Sequence, residues 1–238
     1  MSHPLLFLWA HSRSRSTAFF RMMLERGDFV GVHEPFSSIV AQGYADVGGE
    51  KATTGAEVLD LLQTMAQSTP VFVKEVTEYR YDVLDDPRLP RLGTHTFLVR
   101  HPEPTIASHH FMNPEVTCGE IGYEHEYETF DLIRQRTRRT PVLIEAEDLV
   151  ASPETVVEDY CRRTGIPYDP AALSWSEGEQ NEWERTAKWH QDVVRSTGFS
   201  ARSNTYAADM HNHPRLAEYY AHHLPFYERL RTASPLDA

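Results

Sequence analysis

Leu5-Leu6-Phe7-Leu8-Trp9-Ala10-His11-Ser12-Arg13-Ser14-Arg15-Ser16-Thr17-Ala18-Phe19 decides how this chain folds. Leu5 to Trp9 is a continuous apolar run, the pattern of a strand covered on both faces. His11 to Thr17 is polar and rich in hydroxyls. Beyond it Ala18, Phe19, Met22, Met23 and Leu24 fall at helical spacing, and Gly27 is a helix stop. The order is strand, polar loop, helix. Backbone N–H groups at the start of such a helix, together with its dipole, form an anion site. A helix cap needs one hydroxyl; Ser12, Ser14, Ser16 and Thr17 supply more than that, and Arg13 adds positive charge.

Outward from this unit the alternation repeats. Phe29 to Val32 reads as a second strand, ended by His33-Glu34-Pro35-Phe36. Val58, Leu61, Leu62 and Met65 share one face of a helix from about Ala56 to Gln67. Val71 to Val73 is a third strand ended by Lys74-Glu75, and Thr96 to Val99 a fourth ended by Arg100-His101-Pro102. A helix starts near Pro104, a favoured early helical residue. Pro141 to Ile144 is a fifth strand, and Ser152-Pro153-Glu154-Thr155 opens another helix with Ser152 as its cap. From about Asn181 onward the chain reads as mostly helical, with a polar break around Gly198 to Tyr206.

Strands alternating with helices predict an α/β fold: one three-layer domain over residues 1–238, with a central parallel sheet flanked by helices and a helical C-terminal part. In such sheets ligands bind off the carboxyl ends of the strands. The polar residues there are Ser12 to Thr17, His33, Glu34, Lys74, Glu75 and Arg100. Cations gathered on one rim repel each other unless an anion sits between them.

Composition narrows the function classes. The chain has 238 residues, 40% apolar and 24% charged, with a formal net charge of −12. That charge argues against nonspecific binding to nucleic acid or to an anionic membrane. It also favours a neutral or cationic small molecule over a polyanion as ligand. Cys118 and Cys161 have no metal-ligand or disulfide-framework spacing, which predicts a reducing, cytoplasmic setting. The apolar start is too short to span a bilayer and lacks a basic leader. The thirteen histidines form no His-Glu-x-x-His pair, so they read as surface or packing residues and no metal is expected. The loop is also no Walker A sequence, because no glycine lies between Leu5 and Leu24. A small-molecule kinase using ATP and magnesium stays as the alternative, with Arg15-Ser16 in place of the usual Lys-Ser. A nucleotide-binding module without activity is a third reading.

The strand, Arg13-Ser14-Arg15-Ser16-Thr17 and the following helix resemble the 5′-phosphosulfate loop of sulfotransferases that use 3′-phosphoadenosine-5′-phosphosulfate (PAPS). Members of that family often carry Lys or Arg where Arg13 stands and Gly where Arg15 stands. Phe97-Leu98-Val99-Arg100-His101-Pro102, with Ser108 eight residues after Arg100, resembles the family's 3′-phosphate site. A guanidinium fork and a hydroxyl suit that role. Leu143 to Leu149, Ser152-Pro153-Glu154 and Gly165-Ile166-Pro167 are similar to the strand and helix beyond that site in bacterial and membrane-type members. Lys188-Trp189-His190 and Ser196-Thr197-Gly198-Phe199 match more loosely.

The resemblance implies a P-loop-like fold and transfer of a sulfonate from PAPS to a hydroxyl of a small-molecule acceptor. It implies that Arg13, Ser14, Arg15, Ser16, Thr17, Arg100 and Ser108 hold the donor, with Arg202 as a further basic contact. Arg13 and Lys74 stabilise charge in the transfer. The histidine that many members carry two residues after a strand-end Lys is replaced here by Val76. Some bacterial members use a Glu after the second strand, in a stretch like Val32-His33-Glu34-Pro35, which implies Glu34 as the base, with His33 and Glu75 in reserve. Tyr44, Tyr79, Tyr81, Phe111, Tyr123 and Tyr127 are candidates for the acceptor pocket or the core.

Overall fold

The computed structural model describes residues 3–200 and 205–233. In chain order its elements are β1 (Leu5–Ala10), α1 (Ser16–Glu25), β2 (Val30–His33), α2 (Pro35–Gln42), β3 (Ala45–Val47), β4 (Glu50–Ala52) and α3 (Gly55–Met65). Next come β5 (Val71–Val76), β6 (Thr94–Val99), α4 (Pro102–Met112), α5 (Tyr123–Thr137), β7 (Val142–Glu145), α6 (Ala146–Ala151) and α7 (Pro153–Thr164). The C-terminal part holds a 3₁₀ stretch at Asn181–Trp189, α8 (Gln191–Val194) and α9 (Pro214–Ala233).

Five parallel strands form the sheet in the order β2-β5-β1-β6-β7. β1 is central, which is why all six of its residues are buried. Its side chains alternate between faces. Leu5, Phe7 and Trp9 join one core, packed by residues of α3, α5 and α9. Leu6, Leu8 and Ala10 join a second core with Phe19, Phe20, Met22 and Met23 of α1 and Val157 and Tyr160 of α7. Helices therefore cover both faces, giving the three-layer α/β architecture with a helical C-terminal part. The chain runs from β1 towards β2 on one side and later crosses to β6 on the other. The connection reverses beside β1, where the Ser12–Thr17 loop emerges.

Several boundaries differ from the sequence reading, each for a physical reason. β5 runs on to Val76, so Lys74 and Glu75 lie inside a strand and not after it. Both are buried because tertiary partners satisfy them: Lys74 Nζ bonds Glu34 Oε1, and Glu75 accepts the Phe36 amide at 2.7 Å. α3 starts at Gly55 because Thr54 and Glu57 form a capping box. α4 starts at Pro102, two residues before Pro104, with His101 accepting the Glu103 amide. Ser152 does precede α7, but its side chain makes no cap bond; its own amide closes the end of α6 on Asp148 O at 2.8 Å. The β3–β4 hairpin was not read from the sequence.

Candidate active site

Four polar strand ends converge on one cavity of about 390 Å³. Arg13 and Arg15 reach it from the loop after β1, Ser16 and Thr17 from the first turn of α1, Glu34 from just past β2, Lys74 from β5 and Arg100 from just past β6. Ser108 joins from α4.

The loop is held from below. His11 is fully buried, and its amide and Nδ1 both lie on Glu126 Oε2 of α5, at 3.2 and 2.7 Å. Burial keeps the His11 ring well below its ordinary pKa and pushes Glu126 well above its own. This pair fixes the exit of β1. Arg13 and Arg15 then take left-handed backbone angles, φ 64° and 77°. Arg15 is the cap position of α1, and the first intrahelical bond runs from the Ala18 amide to Arg15 O. The N–H groups of Ser16 and Thr17 thus open the helix at the cavity wall. Ser14 differs from its neighbours: it is fully buried, does not line the cavity, and its Oγ has no hydrogen-bond partner among the described residues.

The two parts of the expected donor site meet directly. Arg13 Nε donates to Ser108 Oγ at 2.9 Å, and Arg100 Nη1 donates to Arg13 O at 3.1 Å. The Arg100 carbonyl is in turn fixed by Tyr123 OH at 2.6 Å. The segment that the sequence matched loosely closes over them. Arg13 Nη1 donates to Trp189 O at 2.7 Å, and Arg15 Nη1 to Ser200 O at 2.6 Å. His190 Nδ1 lies 3.1 Å from Thr17 Oγ1, and burial, then the Lys74 charge, lowers its pKa to about 2, so the ring stays neutral. Arg202 lies outside the described residues.

Glu34 is the third non-glycine residue at positive φ in the site, at 50°. Its amide donates to Lys74 O at 2.7 Å and its Oε1 bonds Lys74 Nζ, so carboxylate and ammonium form one ion pair at the cavity wall. Of the two reserve bases, neither lines the cavity. His33 stacks edge-on against Phe20 and His190. Glu75 caps the start of α2, accepting the amides of Phe36 and Ser37, and its carboxyl is raised to about 8 by burial and by Glu34.

Two residues that sequence reasoning missed stand in the same wall, His190 and Glu78. Glu78 Oε1 accepts from Ser12 Oγ, and its pKa is raised to about 7, first by burial and further by Glu34. The signal for it was the true end of β5: the first polar residues beyond Val76 are Thr77 and Glu78. Gly122 pins that exit, since a Cβ there would meet Thr77 O at 2.7 Å. Of the aromatic candidates Tyr79 lines the cavity, Tyr81 and Tyr123 are core, and Phe111 is 68% exposed.

Two groups have metal-ligand chemistry within 4.8 Å among the described residues. His33, Glu34 and His190 form one, where the Lys74 ammonium already holds Glu34. Cys118, His222 and His223 form the other, away from the cavity, where His223 Nε2 lies 2.7 Å from the Cys118 carbonyl. Neither was foretold by spacing.

Comparison with known proteins agrees with this architecture. The sulfotransferase domain of the Synechococcus PCC 7002 olefin synthase superposes with a TM-score of 0.50 at 14% identity, over 93% of this chain and 95% of that one. The likeness at that identity is one of fold. Branched-chain-amino-acid aminotransferase-like protein 1 of Arabidopsis thaliana is 27% identical over 248 residues, 98% of this chain and 42% of that protein. The corresponding protein 2 is 26% identical over 83% of this chain and 36% of its own length. The chain thus spans less than half the length of the curated relatives it matches. A family model described as a sulfotransferase domain matches residues 5–234. With nearly the whole chain covered by that match, the protein belongs to the sulfotransferase domain family.

Proposed function

We propose that this chain transfers a sulfonate group from PAPS to a hydroxyl of a small-molecule acceptor, releasing adenosine 3′,5′-bisphosphate. One observation carries the reading: in a protein of net charge −12, Arg13, Arg15, Lys74 and Arg100 line one cavity at the start of a helix. That donor set fits a ligand with two separate anionic groups. The N–H groups of Ser16 and Thr17, their hydroxyls and Arg13 suit the 5′-phosphosulfate. Arg100 and Ser108 suit the 3′-phosphate. Arg202 is a further candidate contact.

The donor supplies an S–O bond that breaks as a new S–O bond forms to the acceptor oxygen; the electron pair stays on the phosphate oxygen, and the hydroxyl proton goes to Glu34. Lys74 and Arg13 stand where negative charge grows on the bridging and sulfonate oxygens. Fixed cations of this kind supply the largest share of transfer catalysis in water-poor sites. Glu34, held by the Lys74 ammonium, accepts the proton late in the transfer. His190 stays neutral and offers a ring N–H or a lone pair to the sulfonate region.

The remaining parts of the proposal are a single domain over residues 1–238 and a cytoplasmic setting, in keeping with the free thiols of Cys118 and Cys161. No helix among the described residues is long and apolar enough to cross a membrane.

Titration calorimetry with adenosine 3′,5′-bisphosphate, with and without EDTA, tests the reading. Binding should survive chelation and weaken when the 3′-phosphate is removed. Collapse on chelation, or tighter binding of ATP with magnesium, would replace this reading by a kinase.

A further inference from the structure

The charges around the cavity fall into two sets. Those acting on Arg100 are Arg15 and Glu147, whereas those acting on Glu78 are Glu34, Lys74 and Glu120. Glu78 and Glu120 also act together on Tyr79, and all three line the cavity. The part of the lining made by Glu78, Glu120 and Tyr79 is therefore acidic with an aromatic ring.

The Lys74 charge acts on Glu78 only from beyond contact, because Glu34 holds the ammonium. Glu78 is held by Ser12 Oγ, and Glu120 Oε2 accepts from the amide and hydroxyl of Thr117 at 2.8 and 2.7 Å. Among the described residues no Arg or Lys pairs with either carboxylate; the nearest ion-pair contact of Glu78 is His109 Nε2 at 3.9 Å. His109 is 2% exposed, stands in the cavity wall, and its Nδ1 has no hydrogen-bond partner among the described residues. Burial and the Arg13 charge lower its pKa to about 4, so it does not neutralise Glu78. A partly buried carboxylate without an ion-paired cation is costly, and here burial has raised Glu78 to about 7. A cation delivered by a ligand would remove that cost, and the Tyr79 face adds cation–π attraction.

We infer that the acceptor is an amino alcohol, whose ammonium group seats against Glu78, Glu120 and the Tyr79 ring while its hydroxyl reaches Glu34. The inference rests on the sulfonate-transfer reading and adds to it the class of acceptor. The ammonium fixes the molecule by its non-reacting end, so its hydroxyl is presented to the donor in one orientation.

Two probe pairs of equal shape and unequal charge test it: choline with 3,3-dimethylbutan-1-ol, and tyramine with 4-propylphenol. Each is titrated into the protein saturated with adenosine 3′,5′-bisphosphate. In at least one pair the cation should bind about tenfold or more tightly, the ratio given by roughly 1.4 kcal/mol. Glu78→Gln should cut that preference to about threefold or less, while the bisphosphate affinity stays within about threefold. Glu120→Gln, at a partly exposed position, should cut it by a smaller factor. If both pairs bind without preference, or if the preference survives both substitutions, the amino-alcohol assignment falls and the transfer reading stands. If the bisphosphate does not bind wild-type protein, the transfer reading fails and the assignment fails with it.

Discussion

The two ends of the cleft are built by the same device and carry opposite charge. At one end β1 and β6 stop before Arg13 and Arg100, which touch each other's segments and Ser108. At the other end β5 stops before Glu78, which shares the cavity lining with Glu120 and has no Arg or Lys within ion-pair reach among the described residues. Beside them the Glu34–Lys74 pair, from the rim of β2 and from β5, is charge-balanced within itself. A net charge of −12 describes neither end. It is the first few residues past each parallel strand that set the local sign, because the strands deliver them side by side to one rim.

The sharpest way to break this comparison is at its midpoint. Glu34→Gln keeps the shape and removes the proton acceptor. With a competent acceptor, kcat should fall at least about tenfold, and up to the hundredfold to ten-thousandfold typical of a lost general base. Bisphosphate affinity should stay within a few-fold, because the donor end is untouched. Full turnover in this variant would leave Glu34 as no more than the structural partner of Lys74.

The cationic end is sharpened by a graded pair. Arg100→Ala removes charge-assisted bonds and should weaken the bisphosphate by about 1.5–3 kcal/mol, whereas Ser108→Ala removes a neutral hydroxyl and should cost about 0.5–1.5 kcal/mol. An analogue lacking the 3′-phosphate should be nearly indifferent to both changes. Equal losses for the two ligands would place Arg100 and Ser108 elsewhere than at that phosphate.

Glu75 offers a smaller effect that separates the carboxylates by role. Its pKa is raised to about 8 in the folded protein, by burial first, against an ordinary value of 4.5. The folded state therefore holds the proton more tightly than the unfolded one. The stability this contributes is complete below about pH 4.5 and is lost progressively as pH rises through about 8. Denaturant unfolding at about pH 5 and about pH 8 should show wild type losing stability across that window, and Glu75→Gln losing less. The same substitution should leave bisphosphate binding unchanged, since Glu75 faces the amides of α2 and not the cavity.

The reach of sequence reasoning divides in the same way. β1, its loop and α1 were legible because a central parallel strand is apolar throughout and its helix keeps a helical spacing of apolar residues. Arg13, Lys74 and Arg100 were found where apolar runs give way to polar residues, and Ser108 only by the resemblance of its stretch to the family's 3′-phosphate site. The end of β5 was misjudged because Lys74 and Glu75 read as a stop, although Glu34 and the α2 amides, far upstream in the chain, satisfy them. That error hid Glu78. The Gly48-Gly49 turn of the β3–β4 hairpin was a readable signal, with φ 65° and 89°, but its three-residue strands carry no period. His190 and Trp189 sit in an irregular stretch whose return to Thr17 and Arg13 no local pattern encodes.

The smallest expected effect concerns backbone strain. Of the four non-glycine residues at positive φ among the described residues, Arg13, Arg15 and Glu34 lie in the site; Arg138 ends a distant helix. Such angles cost about 1 kcal/mol or more and gather where a site dictates the backbone. Arg15, at φ 77°, stands where the resembling family often carries glycine. Arg15→Gly should relieve about 1 kcal/mol of that strain, offset in part by the roughly 0.4–1 kcal/mol that glycine adds to unfolded-chain entropy. The net change in unfolding free energy should be a gain of under about 1 kcal/mol, read from the urea midpoint. The bond from Arg15 to Ser200 O is exposed to competition with water and subtracts little from this gain. Bisphosphate affinity should fall in the same variant, because a cation leaves the cavity while the helix start stays open. A gain in stability with weaker binding would identify Arg15 as a ligand contact held at the expense of the fold. A loss of stability with unchanged binding would instead make it a strut for the 189–200 segment.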